Sequence, residues 1–196
     1  MSKKIYLFSL ILLVLAFSAC SETEEVSKYD NWQARNEAFI DSIANRHADL
    51  ATRGELDSIH MISAGGVPLY FKKKDPVGNN GIVEGAKPFY TSTVTVYSKA
   101  TNILGDVLQG NFTGANPSID FSEIHSLAVS NRSIISVGFA EALQRMQVGE
   151  RWEIYVPWNY SFGSSDYSLN GFDGYSATTV LGYSSLIYDV QLLSFE

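Results

Sequence analysis

The chain has 196 residues, with 14 basic and 21 acidic side chains and a formal net charge of −7 at pH 7. This length is enough for one domain with an extension. An acidic chain repels phosphate backbones, and the basic run at residues 72–74 is too short to offset this, so nucleic-acid binding is not expected. Scattered histidines (His47, His60 and His125) lack metal-ligand spacing, so we expect no metal or other cofactor. A single cysteine excludes an intramolecular disulfide.

The N-terminus has the pattern of a secretory signal. Two lysines precede an apolar run that ends in small residues before Cys20. The run is shorter than the about 20 apolar residues of a membrane span. Residues 17–20, Phe-Ser-Ala-Cys, resemble a bacterial lipobox, in which the cysteine is lipidated and becomes the new N-terminus. The resemblance implies a signal peptide over residues 1–19, a lipid-anchored linker over 20–33, and a place in the cell envelope, on the periplasmic or surface face of the outer membrane. An ordinary signal peptide is the alternative.

A helical extension is predicted over residues 34–64. Four side chains recur at helical spacing and lie on one face, namely Phe39, Ile43, His47 and Leu50. Gly54 separates this helix from a second short helix predicted over residues 55–63. Because both are amphipathic, we expect them either to pack on the chain's own domain or to form a homodimer contact.

From Gly65 onward the pattern favours strands. Residues 67–71, 91–97, 151–157 and 184–195 are predicted strands, and residues 119–129 offer another. The clearest helix is predicted over residues 139–146, with an apolar stripe on one side and a glycine at position 149 where a helix ends. Several strands with one short embedded helix predict an α+β domain on an antiparallel sheet.

Three segments carry a resemblance to a known family. Residues 138–158 read GFAEALQRMQVGERWEIYVPW. They resemble the central helix and following strand of FKBP-type peptidyl-prolyl cis-trans isomerases. Residues 93–98, TVTVYS, and residues 185–193, SLIYDVQLL, are similar to two other strands of that family, and residues 160–163 stand at its aromatic loop. The resemblance implies an FKBP-like domain over residues 65–196, with a curved antiparallel sheet wrapped around one short helix, and a flap formed by residues 161–183.

The resemblance also implies a pocket for proline. Four aromatic residues are expected to be catalytic: Tyr97, Phe139, Phe162 and Tyr188. Five more are expected to line the pocket: Leu108, Gln109, Ile135, Ser136 and Tyr160. Several depart from the family pattern, in which Phe139 would be tryptophan, Tyr188 and Leu108 phenylalanine, Gln109 aspartate, Ser136 isoleucine and Phe162 tyrosine. The pair at 108 and 109 follows an inserted residue.

The chemistry of this family needs no nucleophile, metal or general base. Amide resonance gives an X-Pro bond a rotation barrier of about 18–20 kcal/mol. Resonance is lost in the twisted transition state, and a dry aromatic pocket favours that less polar state. The expected function is therefore a weakened isomerase or folding helper for proline-containing exported polypeptides, attached to the membrane through Cys20. The alternatives are a non-catalytic module that binds peptide or protein in the same pocket, and a structural scaffold.

Overall fold

The computed structural model describes residues 27–49, 52, 54–78, 81–112, 114–117, 125–131, 133–169 and 178–196. The predicted signal peptide, Cys20 and the first half of the linker, residues 20–26, lie outside these residues. Residues 31–196 form one compact unit, and residues 1–30 are assigned to another. None of the helices in the described ranges is long and apolar enough to cross a membrane.

An antiparallel sheet forms the centre of the domain. In spatial order it contains β1 (Asp57–Met61), β2 (Val67–Lys74), β6 (Arg151–Val156), β9 (Leu186–Phe195), β3 (Thr93–Thr101) and β4 (Val107–Gly110), and β5 (His125–Ala128) pairs with β3. A separate hairpin joins β7 (Tyr167–Leu169) and β8 (Thr178–Val180). The helices are α1 (Trp32–Ala48) and α2 (Val137–Leu143), with short 3₁₀ turns at Ile62–Ala64 and Trp158–Tyr160. The predicted α+β class with an antiparallel sheet is confirmed.

One face of the sheet packs around α2. The predicted apolar stripe of this helix (Phe139, Ala142, Leu143 and Met146) is fully buried in the main core. Gly138 allows the close approach, because a Cβ at this position would lie 2.7 Å from a methyl group of Val156 on β6. The helix begins at its cap, Ser136, whose Oγ accepts the Phe139 N–H at 3.3 Å. The helix therefore begins two residues before, and ends three residues before, the bounds predicted from the sequence.

The opposite face is partly covered by α1. Ile43 is buried in a second core with Leu56 and Tyr155, and Phe39 packs against it. Leu50, the last residue of the predicted apolar face, lies outside the described residues. The predicted amphipathic helix therefore packs on its own domain.

The prediction of a second helix over residues 55–63 is wrong. This segment forms strand β1, which pairs with β2 along its whole length. Ile59 packs partly against the main core and Met61 is fully buried in it, a spacing of two that suits a strand. The turn into β2 passes through Gly65 and Gly66 at φ 66° and 88°, a backbone region that glycine adopts without strain. Pairing with β2 thus overrides the local helical pattern, and the domain boundary predicted at residue 65 falls inside the sheet.

A buried ion pair lies on the same face of the sheet as α1, at the end that α1 does not cover. Arg151 on β6 donates to both carboxylate oxygens of Asp189 on β9, each at 2.8 Å, and to Asn116 Oδ1 at 2.8 Å. Lys74 on β2 reaches the same carboxylate at 2.7 Å. Removing one partner of such a buried pair typically costs about 3–5 kcal/mol, because it leaves an uncompensated charge. This end of the sheet is therefore held by charged groups, whereas the end beneath α1 is apolar.

We predict that Asn36→Ala lowers the free energy of unfolding by about 1–3 kcal/mol. The Asn36 side chain is fully buried, and its Oδ1 accepts the N–H of buried Ser185 at 2.8 Å. Alanine leaves that N–H without its acceptor. Urea unfolding at neutral pH measures the change, and Asn45→Ala, at an exposed position of the same helix, is the matched control. Equal stability of the two variants would contradict the assigned role of Asn36.

Candidate functional site

Two aromatic rings form the floor of the candidate site. Phe139 on α2 and Tyr188 on β9 stack with ring centroids 4.2 Å apart and an interplanar angle of 11°. Both side chains are fully buried, as is Ile135, which precedes the helix. The structure therefore brings together two of the four aromatic residues predicted as catalytic, in an apolar and dry setting.

The hydroxyl of Tyr188 is bonded within the protein. It donates to Ser136 Oγ at 3.2 Å, and the same oxygen caps the helix by accepting the Phe139 N–H. Burial raises the pKa of Tyr188 far above its ordinary value, so the phenol stays protonated and acts as a donor. The tyrosine at 188 and the serine at 136, both departures from the family pattern, are thus partners in one hydrogen bond.

The main-chain amide of Ser136 stands at the start of α2, where helix N–H groups lack intrahelical partners. The preceding amide, that of Ile135, donates to the Asn131 carbonyl at 2.8 Å. Within the described part of the chain, no acceptor is bonded to the Ser136 amide. The family resemblance assigns this amide to ligand binding, which stays a prediction.

A cross-strand row connects the floor to the predicted polar residue Gln109. Tyr188 on β9 pairs with Ala100 on β3, and Ala100 pairs with Gln109 on β4. Directly paired residues point to the same side of a sheet, so all three face α2. The small Ala100 separates Gln109 from Tyr188 by two strand spacings, or about 10 Å. Gln109 is itself buried, and its place on this face fits the predicted pocket position.

A β-bulge explains the irregular spacing beside Gln109. The register between β3 and β4 shifts after Ala100, so that Thr101 pairs with Val107 and Leu108 is the extra residue. A bulge turns two successive residues toward one side. Leu108 consequently packs against the main core although Gln109 also faces it. The bulge therefore lies in the region where the sequence comparison indicated an inserted residue.

The remaining predicted aromatics lie at the margin of the same core. Tyr160 and Phe162 are partly buried and pack against it. Phe162 stacks on Tyr167 of β7, with centroids 4.6 Å apart and an interplanar angle of 15°. Tyr167 was not predicted as a site residue, because the flap segment offered no periodic pattern from which a partner could be chosen.

Tyr97 does not belong to this group, and its prediction as a pocket residue is wrong. Tyr97 pairs with Gln191, on the face of the sheet opposite α2, whereas its neighbours Val96 and Ala100 lie in the core around the helix. Alternation along β3 places the buried Ser98 on the α2 face instead. The two-residue alternation that starts at Val94 already indicates that Tyr97 points away from the core. The family resemblance was read one residue out of register.

We predict that the Ser136–Tyr188 bond gives a non-additive double-mutant cycle. Ser136→Ala leaves a fully buried phenol without its acceptor and removes the helix cap, which should cost about 1–3 kcal/mol of unfolding free energy. Tyr188→Phe removes the hydroxyl that Ser136→Ala leaves without an acceptor. The unfolding free energy of the double variant should therefore be about 1 kcal/mol higher than the sum of the two single changes predicts. Denaturant unfolding of the four proteins measures this. Additive effects would contradict the coupling.

Comparison with known proteins places the fold and the family. The sequence model of the FKBP-type peptidyl-prolyl cis-trans isomerases matches residues 86–193, which is 108 of 196 residues. A peptidyl-prolyl cis-trans isomerase from Pseudomonas syringae pv. tomato str. DC3000 superimposes with a TM-score of 0.53 and 14% identity, over 87% of this chain and 97% of that one.

FkpA from Escherichia coli superimposes with a TM-score of 0.55 and 19% identity, over 100% of this chain and 74% of FkpA. At these identities the two likenesses support the fold alone. No curated protein matches the sequence. The family match, however, covers more than half of the chain and includes α2, β6 and nearly all of β9, which carry the floor of the site. The chain belongs to the family of FKBP-type peptidyl-prolyl cis-trans isomerases.

Proposed function

We propose that this isomerase acts on X-Pro bonds of exported polypeptides, from a lipid anchor at Cys20, with weaker catalysis than its family usually provides. The observation that carries the proposal is the fully buried stack of Phe139 on Tyr188 next to the start of α2. The stack is covered by the protein's own side chains, so a proline ring would reach this apolar floor only after those side chains move aside.

The proposed mechanism uses solvation and position rather than covalent chemistry. The planar prolyl amide is more polar than its twisted form, so an apolar floor favours the twisted state. The Ser136 amide is suited to hold a substrate carbonyl next to the rotating bond. Since the Tyr188 hydroxyl already donates to Ser136 Oγ, this hydroxyl contributes to the shape of the floor and is not assigned to the substrate.

The expected weakness follows from three departures at the margin of the site. Phe162 lacks the hydroxyl that the family tyrosine donates to substrate, Gln109 replaces a carboxylate with a neutral amide, and Ser136 removes apolar wall. A lost hydrogen bond is worth about 0.5–1.5 kcal/mol, and each 1.4 kcal/mol is about tenfold in rate. Together these losses amount to a reduction of about ten- to a thousandfold.

We predict that Phe162→Tyr increases kcat/KM about three- to tenfold, because it restores one donor at the margin of the site. A proline tetrapeptide assay of cis-to-trans conversion measures the change. Tyr97→Phe is the matched control and should leave kcat/KM unchanged, since Tyr97 faces away from α2.

The same assay separates the competing functions. If neither the natural protein nor Phe162→Tyr accelerates isomerisation while proline peptides still bind, the non-catalytic module replaces the enzyme. A loss of activity in Tyr97→Phe, with unchanged stability, would contradict the placement of the site.

We predict that Cys20→Ser abolishes lipid attachment. Lipidation requires the cysteine thiol, so growth with labelled fatty acid should label the natural protein in a bacterial host and leave the variant unlabelled. Ser21→Ala, at the adjacent position, is the control and should retain the label. A labelled Cys20→Ser protein would contradict the anchor and leave only an ordinary signal peptide.

A further inference from the structure

A second concavity lies on the side of α2 that faces away from the sheet. It has a volume of about 780 Å³ and is bounded by the helix, by the 3₁₀ turn at Ile62–Ala64 and by residues 85–90. We call it the helix groove. Its helix residues are Val137, Ala140, Glu141, Gln144 and Arg145. These positions recur at spacings of three and four and so occupy one side of the helix.

The helix groove is distinct from the candidate proline site. Phe139 and Ser136, which form the floor and the cap of that site, are not among the residues that line the groove. The side chain of Phe139 is directed into the core, where it stacks on Tyr188. A substitution at the margin of the groove therefore leaves the stacked floor in place.

Exposed apolar side chains collect around the helix groove. Within the described ranges, five of the seven large hydrophobic residues that are exposed lie at position 62 or between 82 and 90. Three of them line the groove, namely Ile62, Phe89 and Tyr90, and Ile62 at 76% and Phe89 at 74% are the most exposed. Exposed apolar side chains that line a concavity are characteristic of binding sites.

The lining of the helix groove carries two cationic residues and one carboxylate, so its positive charge exceeds its negative charge by one. The Glu141 carboxylate accepts the Ser63 N–H at 2.9 Å and the Ile62 N–H at 3.4 Å, so it serves to hold the 3₁₀ turn against α2. Burial acts to raise the pKa of Glu141, but these hydrogen bonds and the nearby Arg145 outweigh it and lower the pKa below its usual value. Lys87 and Arg145 are the cationic residues of the lining. On a chain with net charge −7, this is local charge of the opposite sign.

We propose that the helix groove binds an extended apolar segment of a client polypeptide that is flanked by acidic residues. This inference rests on the proposed function, since the client is the exported polypeptide whose prolyl bonds the neighbouring site turns over. Phe89 and Ile62 supply apolar contact, and Lys87 and Arg145 attract the flanking carboxylates. A segment held there keeps an unfolded client near the proline site between encounters.

The test uses the full mature chain and two fluorescent peptides without proline. Both contain the same apolar core, one flanked by aspartates and the other by lysines, and fluorescence anisotropy measures their affinity. The aspartate-flanked peptide should bind more tightly. Lys87→Glu should weaken its binding about two- to fivefold, the usual range for one exposed charge pair, and Lys72→Glu, a charge reversal on β2, should not.

A second pair of variants tests the apolar contact. Phe89→Ala should weaken binding of the aspartate-flanked peptide about tenfold, whereas Leu104→Ala, at an exposed apolar position before β4, should have no effect. Activity on the proline tetrapeptide should be unchanged in both. Thermal unfolding verifies that each variant is folded.

Three results would overturn the proposal. Equal affinity for the two peptides removes the charge argument, and unchanged binding in Phe89→Ala removes the groove as the site. A shift from dimer to monomer in Phe89→Ala, measured by sedimentation, assigns the groove to a second copy of the chain. Because the peptides contain no proline, a protein without isomerase activity that still binds them refutes the enzymatic function alone.

Discussion

A buried hydroxyl group is costly to leave without a hydrogen-bond partner, and the floor of the candidate site depends on one such bond. The phenol of Tyr188 lies where no water reaches it, and the partner within reach is Ser136 Oγ. That oxygen also caps α2. One bond thus connects the closing strand to the start of the helix that carries Phe139. A change in either residue alters both the floor and the amide beside it.

The two faces of strand β9 lie in different environments. Its residues Tyr188 and Val190 face α2 and belong to the apolar core, whereas Ile187 faces the α1 side and Asp189 holds the buried Arg151. The functional side chains use only the first of these faces. The second face contributes rigidity through an ion pair at one end and α1 at the other. The strand that contributes Tyr188 to the candidate site is therefore held in place from its other face.

The sequence was most informative where a pattern and a packing surface coincide. The stripe through Phe139 and Met146 predicts a buried helix, and the structure has one, two residues earlier in its start. The segment at 57–61 was wrongly predicted to be helical, because its apolar spacing is compatible with a helix. Its pairing with β2 makes it a strand. A short sequence contains no information about such a distant pairing. Local pattern alone cannot distinguish the two outcomes.

Only part of the site was predicted, again because local sequence does not show which residues meet in the folded chain. Ile135 and Gln109 were predicted to line the pocket because of their place in the family motif; both are buried, and Gln109 lies on the face of the sheet next to α2. Tyr97 was misplaced by one residue, and in a strand one residue reverses the side chain's direction. Tyr167 was missed because contacts within the flap depend on tertiary structure. Anchoring at Cys20 stays a prediction, since that residue lies outside the described ranges.

The extent of the family match has a practical consequence for anyone who shortens this protein. Residues 86–193 begin after β2, so a fragment cut to those limits would lack both α1 and the two strands that complete one side of the sheet. Strand β6 would then become an unpaired edge, with Tyr155 newly uncovered beside it. Bare edges and freshly exposed rings promote self-association. A soluble recombinant form should start no later than residue 31, where the compact unit begins.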